Sequence, residues 1–285
     1  MKNKVICFGE VLWDMLPSGK VAGGAPMNVA FRLKELQHDV QLFTAIGEDE
    51  LGLELLEILK DMDLSKNVHS SEHLPTGTVA VELSEAGNAS YTIVEGVAWD
   101  EIPVNAFPSQ PFQLIFGSLA LRSDVNQTTI LTLIDQATEV VFDINLRAPF
   151  YHWDLINRFM KKADLVKMNE DEFEWICEQL NIHEKSSISR LKLLDRLYPH
   201  KTWCVTKGDK GAEYMEDGLH FEQTGFPTKV IDTIGAGDAF LAGLLHQRQQ
   251  QSSPEQCLKF ACKIGSIVAG QQGASQALSL EEISY

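Results

Sequence analysis

Short apolar runs alternate along this chain with longer segments in which apolar residues recur every three or four positions. The short runs predict buried strands at residues 5–8, 40–45, 114–116, 140–144, 165–168 and 203–206. The longer segments predict helices at residues 26–36, 51–60, 127–137, 153–161, 170–180, 188–197, 236–249 and 254–270. Because the two kinds of segment alternate, we expect an α/β fold in which helices cover both faces of a mostly parallel sheet.

One region departs from this alternation. Residues 76–83 and 90–94 predict two strands around a turn at Gly87-Asn88. Residues 11–16, followed by a turn before Val21, can join them in a small separate β-layer. An ordinary hairpin at the edge of the main sheet is the alternative.

The length of 285 residues suits one large domain, and we find neither a linker nor an internal repeat. We therefore expect a single domain over residues 1–285, with the small β-layer formed by insertions at about 11–23 and 75–98. The formal net charge of −16 argues against a nucleic-acid partner, because contacts to phosphates need basic patches.

No apolar run reaches the length of a membrane span, and the basic start lacks the long apolar stretch of a signal peptide. We therefore expect a cytoplasmic protein without a membrane partner. The five cysteines are scattered without Cys-x-x-Cys spacing, which favours buried free thiols over disulfides or zinc ligands.

The most specific motif is Asp-Thr-Ile-Gly-Ala-Gly-Asp at 232–238, directly before a predicted helix. Amides of Gly235, Ala236 and Gly237 at a helix start can bind an anion. Asp238 can accept a proton there from an incoming hydroxyl. An anion site beside a base suits phosphoryl transfer to an alcohol, although an Asp at a helix start is also a common cap.

This motif resembles the signature of the PfkB-type, ribokinase-like sugar kinases. Residues 9–14 and the string Gly-Gly-Ala-Pro-Met-Asn-Val-Ala at 23–30 are similar to the sugar-binding half of that family, closest to its fructokinase branch. The resemblance implies a three-layer αβα sandwich with a mostly parallel sheet and a small β-sheet lid that often mediates dimerisation. It also implies ATP-dependent phosphorylation of a primary hydroxyl, with fructose the favoured sugar and Asp238 the general base.

Four residues of the N-terminal region are candidates for binding the sugar. Asp14 follows an apolar strand, where a carboxylate can accept two hydroxyl hydrogen bonds; a plain turn aspartate is the alternative. Gly23 and Gly24 permit close approach of the backbone to the same ligand. Asn28 can both donate and accept, and helix capping competes with that role.

The segment Asp143-Ile-Asn-Leu-Arg147 resembles the family's Asp-x-Asn-x-Arg motif at the end of a strand. Asn145 and Arg147 can approach the sugar or the phosphates there. A structural salt bridge between Asp143 and Arg147 is the alternative. Arg122 is a weaker candidate of the same type.

The turn at 205–212 resembles the nucleotide-binding turn of the family, with Thr206, Gly208 and Gly211 as candidates for the phosphates and ribose. A β-turn carrying a surface lysine is the alternative. The resemblance also implies that the segment 269–274, with Gly273, wraps the adenine.

Two cation sites follow from the resemblance. Asn169 and Glu172 match an Asn-x-x-Glu motif that holds Mg²⁺ through water, and a helix capping box explains the same pair structurally. The carboxylate of Asp232 and the carbonyl of Ile234 are implied ligands of K⁺.

Several rival functions stay open. A ribose, deoxygluconate or nucleoside kinase has the same motifs, and the aromatic residues Trp13, Tyr91 and Trp99 could stack on a base. A catalytically silent sugar-binding protein on this fold would have no need of Asp238. A dinucleotide-dependent dehydrogenase would need Gly-x-Gly-x-x-Gly after the first strand, which residues 9–14 do not supply.

Overall fold

The computed structural model describes residues 4–16, 19–83, 89–104, 110–273 and 276–278. Strands and helices alternate along these residues as the sequence pattern predicts. The strands are β1 (Lys4–Phe8), β2 (Leu12–Leu16), β3 (Gly19–Gly23), β4 (Val40–Gly47), β5 (Val68–Ser71), β6 (Gly77–Leu83), β7 (Ala89–Ile93), β8 (Phe112–Gly117), β9 (Glu139–Asp143), β10 (Leu165–Asn169), β11 (Thr202–Thr206), β12 (Ala212–Glu216) and β13 (Leu219–Gln223). The helices are α1 (Ala25–Glu35), α2 (Glu50–Asp61), α3 (Asp124–Ile134), α4 (Trp153–Met160), α5 (Glu170–Gln179), α6 (Ser187–Leu197), α7 (Ala236–Gln249) and α8 (Pro254–Ala269).

Nine of the described strands form one sheet in the order β13-β12-β11-β10-β9-β8-β1-β4-β5. The pairs from β11 across to β5 are parallel, and β12 and β13 add an antiparallel edge. The predicted α/β class is therefore confirmed. After β1 the chain adds β4 and then β5 on one side of β1, and β8 later pairs with the other side of β1. Ligands of such sheets bind where the strand order reverses, outside the carboxyl ends of the strands.

The two faces of this sheet contribute to separate cores. Ile6 and Phe8 of β1 point into one core, and Val5 and Cys7 point into the other, because successive side chains of a strand alternate between faces. Buried side chains of α3 to α6 pack on the first face, and those of α1, α2, α7 and α8 on the second. The molecule is thus a three-layer αβα sandwich.

A second sheet of four described strands has the order β3-β2-β6-β7. Its β2 and β6 pair in parallel, whereas β2–β3 and β6–β7 are antiparallel pairs. The predicted separate β-layer is confirmed, and the alternative of an edge hairpin on the main sheet is wrong. The predicted turn at Gly87-Asn88 lies outside the described residues.

The sequence pattern missed the edge strands β5 and β13, because their side chains are mostly half-buried or exposed and carry no apolar run. The five cysteines are buried and unpaired, as predicted. Among the residues described, none of the helices combines the length and the apolar character that a membrane crossing requires.

Candidate active site

Helix α7 begins at the carboxyl edge of the sheet. Gly235 caps it with φ of 76°, in the left-handed region that glycine adopts without strain. The amide of Ala236 donates to the carbonyl of Thr233 at 3.2 Å, so of the three predicted anion-hole amides this one already has a partner. Gly237 and Asp238 follow in the first turn, whose amides have no partner within the helix.

The carboxylate of Asp238 joins two distant parts of the chain. The side-chain amide of Asn28, in the first turn of α1, donates to Asp238 Oδ2 at 2.8 Å. Asp238 is partly exposed, yet protein atoms enclose its carboxylate, and this desolvation raises its pKa to about 6. The nearby Asp143 raises the pKa further, and Lys167, Asn28 and Arg147 oppose that rise.

Beside Asp238 lies a buried ion pair that the sequence reasoning missed. The ammonium of Lys167 donates to both carboxylate oxygens of Asp143, at 2.9 and 3.1 Å. The two residues are register partners on the adjacent parallel strands β10 and β9. The sequence feature that could have indicated this pair is a lysine inside an otherwise apolar strand. The alternative of an Asp143–Arg147 salt bridge is wrong, since Asp143 pairs with Lys167.

Arg147 is exposed, and its guanidinium donates to the carbonyl of Leu146 at 3.0 Å. Its positive charge lowers the pKa values of Glu10, Asp14 and Asp238, so it lies within electrostatic range of these three carboxylates. The neighbouring Asn145 has a φ of 40°, and its carbonyl accepts from the Ser118 hydroxyl at 3.1 Å.

The predicted sugar residues meet where the small sheet joins the main sheet. Asp14 is half-buried on β2, and burial raises its pKa. A Cβ on Gly23 would lie 2.8 Å from Asp14 Oδ2, so glycine keeps this carboxylate accessible. Gly24 has a φ of 125°, and a Cβ on it would lie 2.3 Å from the Glu10 carbonyl oxygen. Gly24 therefore has no room for a side chain, and a side chain at Gly23 would displace the Asp14 carboxylate.

Glu10, directly after β1, is a second residue that the sequence reasoning left without a role. It is 3% exposed, and its burial raises its pKa to about 7. Its Oε2 has no hydrogen-bond partner among the described residues. The negative charge of Asp238 raises the pKa of Glu10 as well, so the two carboxyl groups interact electrostatically.

A cavity of about 700 Å³ opens on the other side of the α7 start. Thr206, Gly208 and Gly211, the predicted nucleotide residues, all line it. The rest of the lining consists mainly of small or apolar residues of the loop before α7 and of α7 and α8: Gly225, Phe226, Pro227, Thr228, Val230, Thr233, Ala236, Gly237, Phe240, Cys262, Gly265, Ser266 and Ala269.

Gly273, the remaining nucleotide candidate, has another contact. Its amide donates to Asp232 Oδ2 at 3.1 Å, and it is not part of the described cavity lining. Ala269 of the same predicted adenine segment does line the cavity, and Ala274 lies outside the described residues.

Asn169 and Glu172 form a capping box at the start of α5. Asn169 Oδ1 accepts from the Glu172 amide at 2.9 Å, and Glu172 Oε2 accepts from the Asn169 amide at 2.8 Å. Glu172 Oε1 accepts from the amide of Leu146 at 2.8 Å. Because these oxygens already bind amides, the pair fits a hydrated Mg²⁺ held through water better than direct coordination. Asn169 also lines the cavity.

The donor set implied for K⁺ lies in one loop. Asp232 Oδ1 accepts from the Ile234 amide at 3.0 Å, and Oδ2 accepts from Gly273. Asp232 therefore joins the loop before α7 to the segment after α8. Oxygen donors of this kind fit a hard monovalent cation.

The aromatic candidates for stacking on a base are used in packing. Trp13 is buried and its indole donates to the carbonyl of Leu51 at 2.9 Å. Trp99 has no exposed surface, and Arg122 lies over its ring at 3.9 Å while pairing with Asp100 at 2.6 Å. Arg122 therefore has a structural role. The side chain of Tyr91 lies outside the described part of the chain.

The fold and the site together define a class: an α/β enzyme whose carboxylate and helix amides suit transfer of an anionic group to a hydroxyl. Comparison with known proteins makes the class specific. The model of the pfkB family carbohydrate kinases matches residues 8–281. The chain belongs to this family.

Two kinds of relatives agree with that assignment. Probable fructokinase-6, chloroplastic, of Arabidopsis thaliana is 27% identical over 315 aligned positions, covering 98% of this chain and 80% of the relative. The structure of Xylella fastidiosa fructokinase with bound ATP has a TM-score of 0.88 at 23% identity, covering 99% and 97% of the two chains. A fructokinase double mutant from Vibrio cholerae O395, bound to fructose, ADP and potassium, has a TM-score of 0.83 at 25% identity, covering 97% and 95%. The predicted fold and the predicted enzyme class, an ATP-dependent sugar kinase, are confirmed.

Proposed function

We propose that this protein transfers the γ-phosphoryl group of ATP to a primary hydroxyl of fructose. One observation carries the assignment of roles: the 2.8 Å hydrogen bond between Asn28 and Asp238, which are 210 residues apart. It brings a residue of the sugar half into contact with the base at the helix start. The similarity to fructokinases supports the choice of sugar.

In this mechanism the hydroxyl oxygen of the sugar attacks the γ-phosphorus in line with the leaving group. The new O–P bond forms as the bond from the γ-phosphorus to the β–γ bridging oxygen breaks, and ADP leaves. Asp238 takes the hydroxyl proton, for which its pKa of about 6 is suited near neutral pH. Amides at the start of α7 stabilise the negative charge on the transferred group.

Each remaining candidate has a role in this proposal. Asp14 and Asn28 bind sugar hydroxyls, with Gly23 and Gly24 at contact distance; Asn145 and Arg147 approach the sugar and phosphates. Thr206, Gly208 and Gly211 hold the nucleotide. Asn169 and Glu172 bind hydrated Mg²⁺, which supplies charge neutralisation at the phosphates when bound. K⁺ would bind to Asp232 and to the carbonyl of Ile234, and it would stabilise the contact between Asp232 and Gly273.

We further propose that the small sheet is the lid of the sugar site. Its strand β2 carries Asp14, so a sugar bound to Asp14 would hold the sheet in place, and the sheet would hold the sugar. Met15 and Val21 of the same sheet are exposed, which supports a homodimer through this sheet that light scattering can test. Five buried free thiols support a reducing cytoplasmic setting.

The experiment is an ADP-release assay with a panel of fructose, ribose, 2-keto-3-deoxygluconate and several ribosides, with and without K⁺. The proposal expects the highest kcat/KM for fructose and a higher rate with K⁺. A preference for a riboside would reassign the substrate within the family. No turnover with any acceptor, from protein that binds ATP, would favour a silent sugar-binding protein instead.

A further inference from the structure

Lys167 occupies a position that stability alone does not explain. It is 6% exposed on an inner strand of the main sheet, where apolar residues surround it in the sequence. A buried ion pair is often no more stable than apolar residues of similar volume in its place. On stability alone, apolar residues in place of both Lys167 and Asp143 would serve these strands as well.

The ammonium also lies beside the start of α7. A Cβ built on Gly237 would be 3.3 Å from Lys167 Nζ, so the charge packs against the first turn of the helix that carries Asp238. Cations are unfavourable at helix N-termini, because the helix dipole places partial positive charge there. A buried cation at this point is therefore expected where negative groups must be held in the same space.

We propose that the Lys167–Asp143 ion pair sets the charge state of Asp238. Lys167 is the buried cation that allows a desolvated carboxylate to stay ionised beside the helix start. Asp143 holds this cation in place, and the negative charge of Asp143 partly offsets the effect of the cation on Asp238. Lys167 is thus a positioning residue that acts through Asp238, and the inference rests on the proposed role of Asp238 as the base.

The charges around Asp238 support this assignment. Asp143 is a negative neighbour, and Glu10, with a pKa of about 7, becomes one only as the pH rises to 7 and above. Lys167 and Arg147 are positive, and Asn28 donates a neutral hydrogen bond. Arg147 is exposed, so solvent and salt screen its charge. Lys167 is buried and is screened much less.

The directions of the pKa effects agree with the geometry. Lys167 lowers the pKa of Asp238, and Asp143 raises it. Burial lowers the pKa of Lys167, but the negative charges of Asp143, Glu172 and Asp238 outweigh it and raise this pKa, so the ammonium stays charged throughout the working range. The pair therefore exerts two opposed effects on one carboxylate, and each can be removed separately.

The test compares the pH profiles of kcat/KM for the wild type, Lys167→Met, Asp143→Asn and the double variant, with saturating Mg²⁺. Lys167→Met should move the acid limb up by about one pH unit, with a roughly fivefold loss at pH 6 and a roughly tenfold loss at pH 5. Asp143→Asn should move the limb down. The double variant, which leaves no unpaired buried charge in the pair, should return close to the wild-type profile.

Lys162→Met, on the exposed segment after α4, is the matched control and should leave the profile unchanged. A purely structural pair predicts a different result: lower melting temperatures for the single variants with the acid limb at the wild-type pH. That result overturns the inference, as does a double variant whose limb stays where Lys167→Met puts it.

A second readout needs no turnover. The difference in melting temperature between each protein and its Asp238→Asn counterpart, measured from pH 4 to 8, changes with pH up to the folded-state pKa of Asp238 and is level above it. The pH at which it becomes level should rise in Lys167→Met and fall in Asp143→Asn. If no sugar is phosphorylated, the proposed function fails, whereas an unchanged levelling pH would overturn the ion-pair inference alone.

Discussion

The two ends of the proposed cleft differ in the residues that form them. The end proposed for the nucleotide is lined mainly by glycines, alanines, threonines and apolar side chains from the turn after β11 and from α7 and α8. The end proposed for the sugar contains the carboxyl groups of Glu10, Asp14 and Asp238, each with a raised pKa because of burial. The charge of Arg147 lowers the pKa of all three.

The difference follows from the charges of the two ligands. ATP is an anion, and in a chain of net charge −16 it is bound best by helix amides and by close backbone approach. A sugar is neutral and presents hydroxyl donors, which carboxylates accept well. Substitutions at the sugar end should therefore change chemistry and sugar affinity, and those at the nucleotide end should change ATP affinity alone.

Removing the base should have the largest effect. Asp238→Asn keeps the shape of the side chain and an oxygen that can accept from Asn28. The amide cannot take the hydroxyl proton, so kcat should fall about 10³-fold. ATP affinity, measured by calorimetry, should change little. Asp61→Asn, at the exposed end of α2, is the matched control and should keep wild-type turnover. A kcat within a few-fold of the wild type in Asp238→Asn would remove this residue from the base role.

The second effect separates the two ends directly. Asp14→Asn replaces an acceptor of two hydroxyl hydrogen bonds with a group that has one acceptor oxygen. We expect KM for the sugar to rise about 10–100-fold, because hydrogen bonds to charged groups contribute about 1.5–3 kcal/mol. KM for ATP should stay the same. An equal rise of both KM values would show that Asp14 supports the whole cleft rather than the sugar.

The pH dependence should also come from the sugar end. Asp238 must be ionised to act as a base, so kcat/KM should fall about tenfold per pH unit below its pKa of about 6. Stability has the opposite sign: the folded-state pKa exceeds the ordinary 3.8, so this group's stabilisation is complete below about pH 4 and is lost as pH rises toward 6. Glu10, with a pKa of about 7, extends that loss upward. A kcat/KM that is flat from pH 5 to 8 would contradict the assignment.

The smallest effect belongs to the nucleotide end. Gly208 lines the cavity with a φ of 58°, and a Cβ there meets no atom within 4 Å. Gly208→Ala should cost about 1–2 kcal/mol of stability for the left-handed backbone and raise KM for ATP a few-fold. Gly218→Ala, with a φ of 74° and equal space on the β12–β13 turn, should cost the same stability without changing KM. Equal KM values in the two variants would place the phosphates elsewhere.

The sequence predicts this molecule well where a local pattern fixes the outcome. The apolar runs identify the inner strands because these strands are buried on both faces, and the Gly-Ala-Gly-Asp string identifies the α7 start. Prediction from the sequence fails where charged residues that are distant along the chain come together in the fold. The contact of Lys167 with Asp143, and the closeness of Glu10 to Asp238, arise only when separate strands align, so no local spacing encodes them.

Local pattern also leaves some choices open that packing decides. Asn169 and Glu172 fit a capping box and a hydrated metal site equally well in sequence; the structure shows the capping box, and a Mg²⁺ held through water is compatible with it. Trp99 is a plausible stacking residue in sequence, but the three-dimensional core surrounds it completely.

The most direct measurement of the central claim is a crystal structure of the closed complex with fructose and an unreactive ATP analogue. We predict that an Asp238 carboxylate oxygen lies within about 2.6–3.2 Å of the primary hydroxyl that faces the γ-phosphate. The analogue's γ-phosphate should contact the first-turn amides of α7. A complex in which Glu10 or Asp14 holds that hydroxyl, with Asp238 directed elsewhere, would contradict the claim.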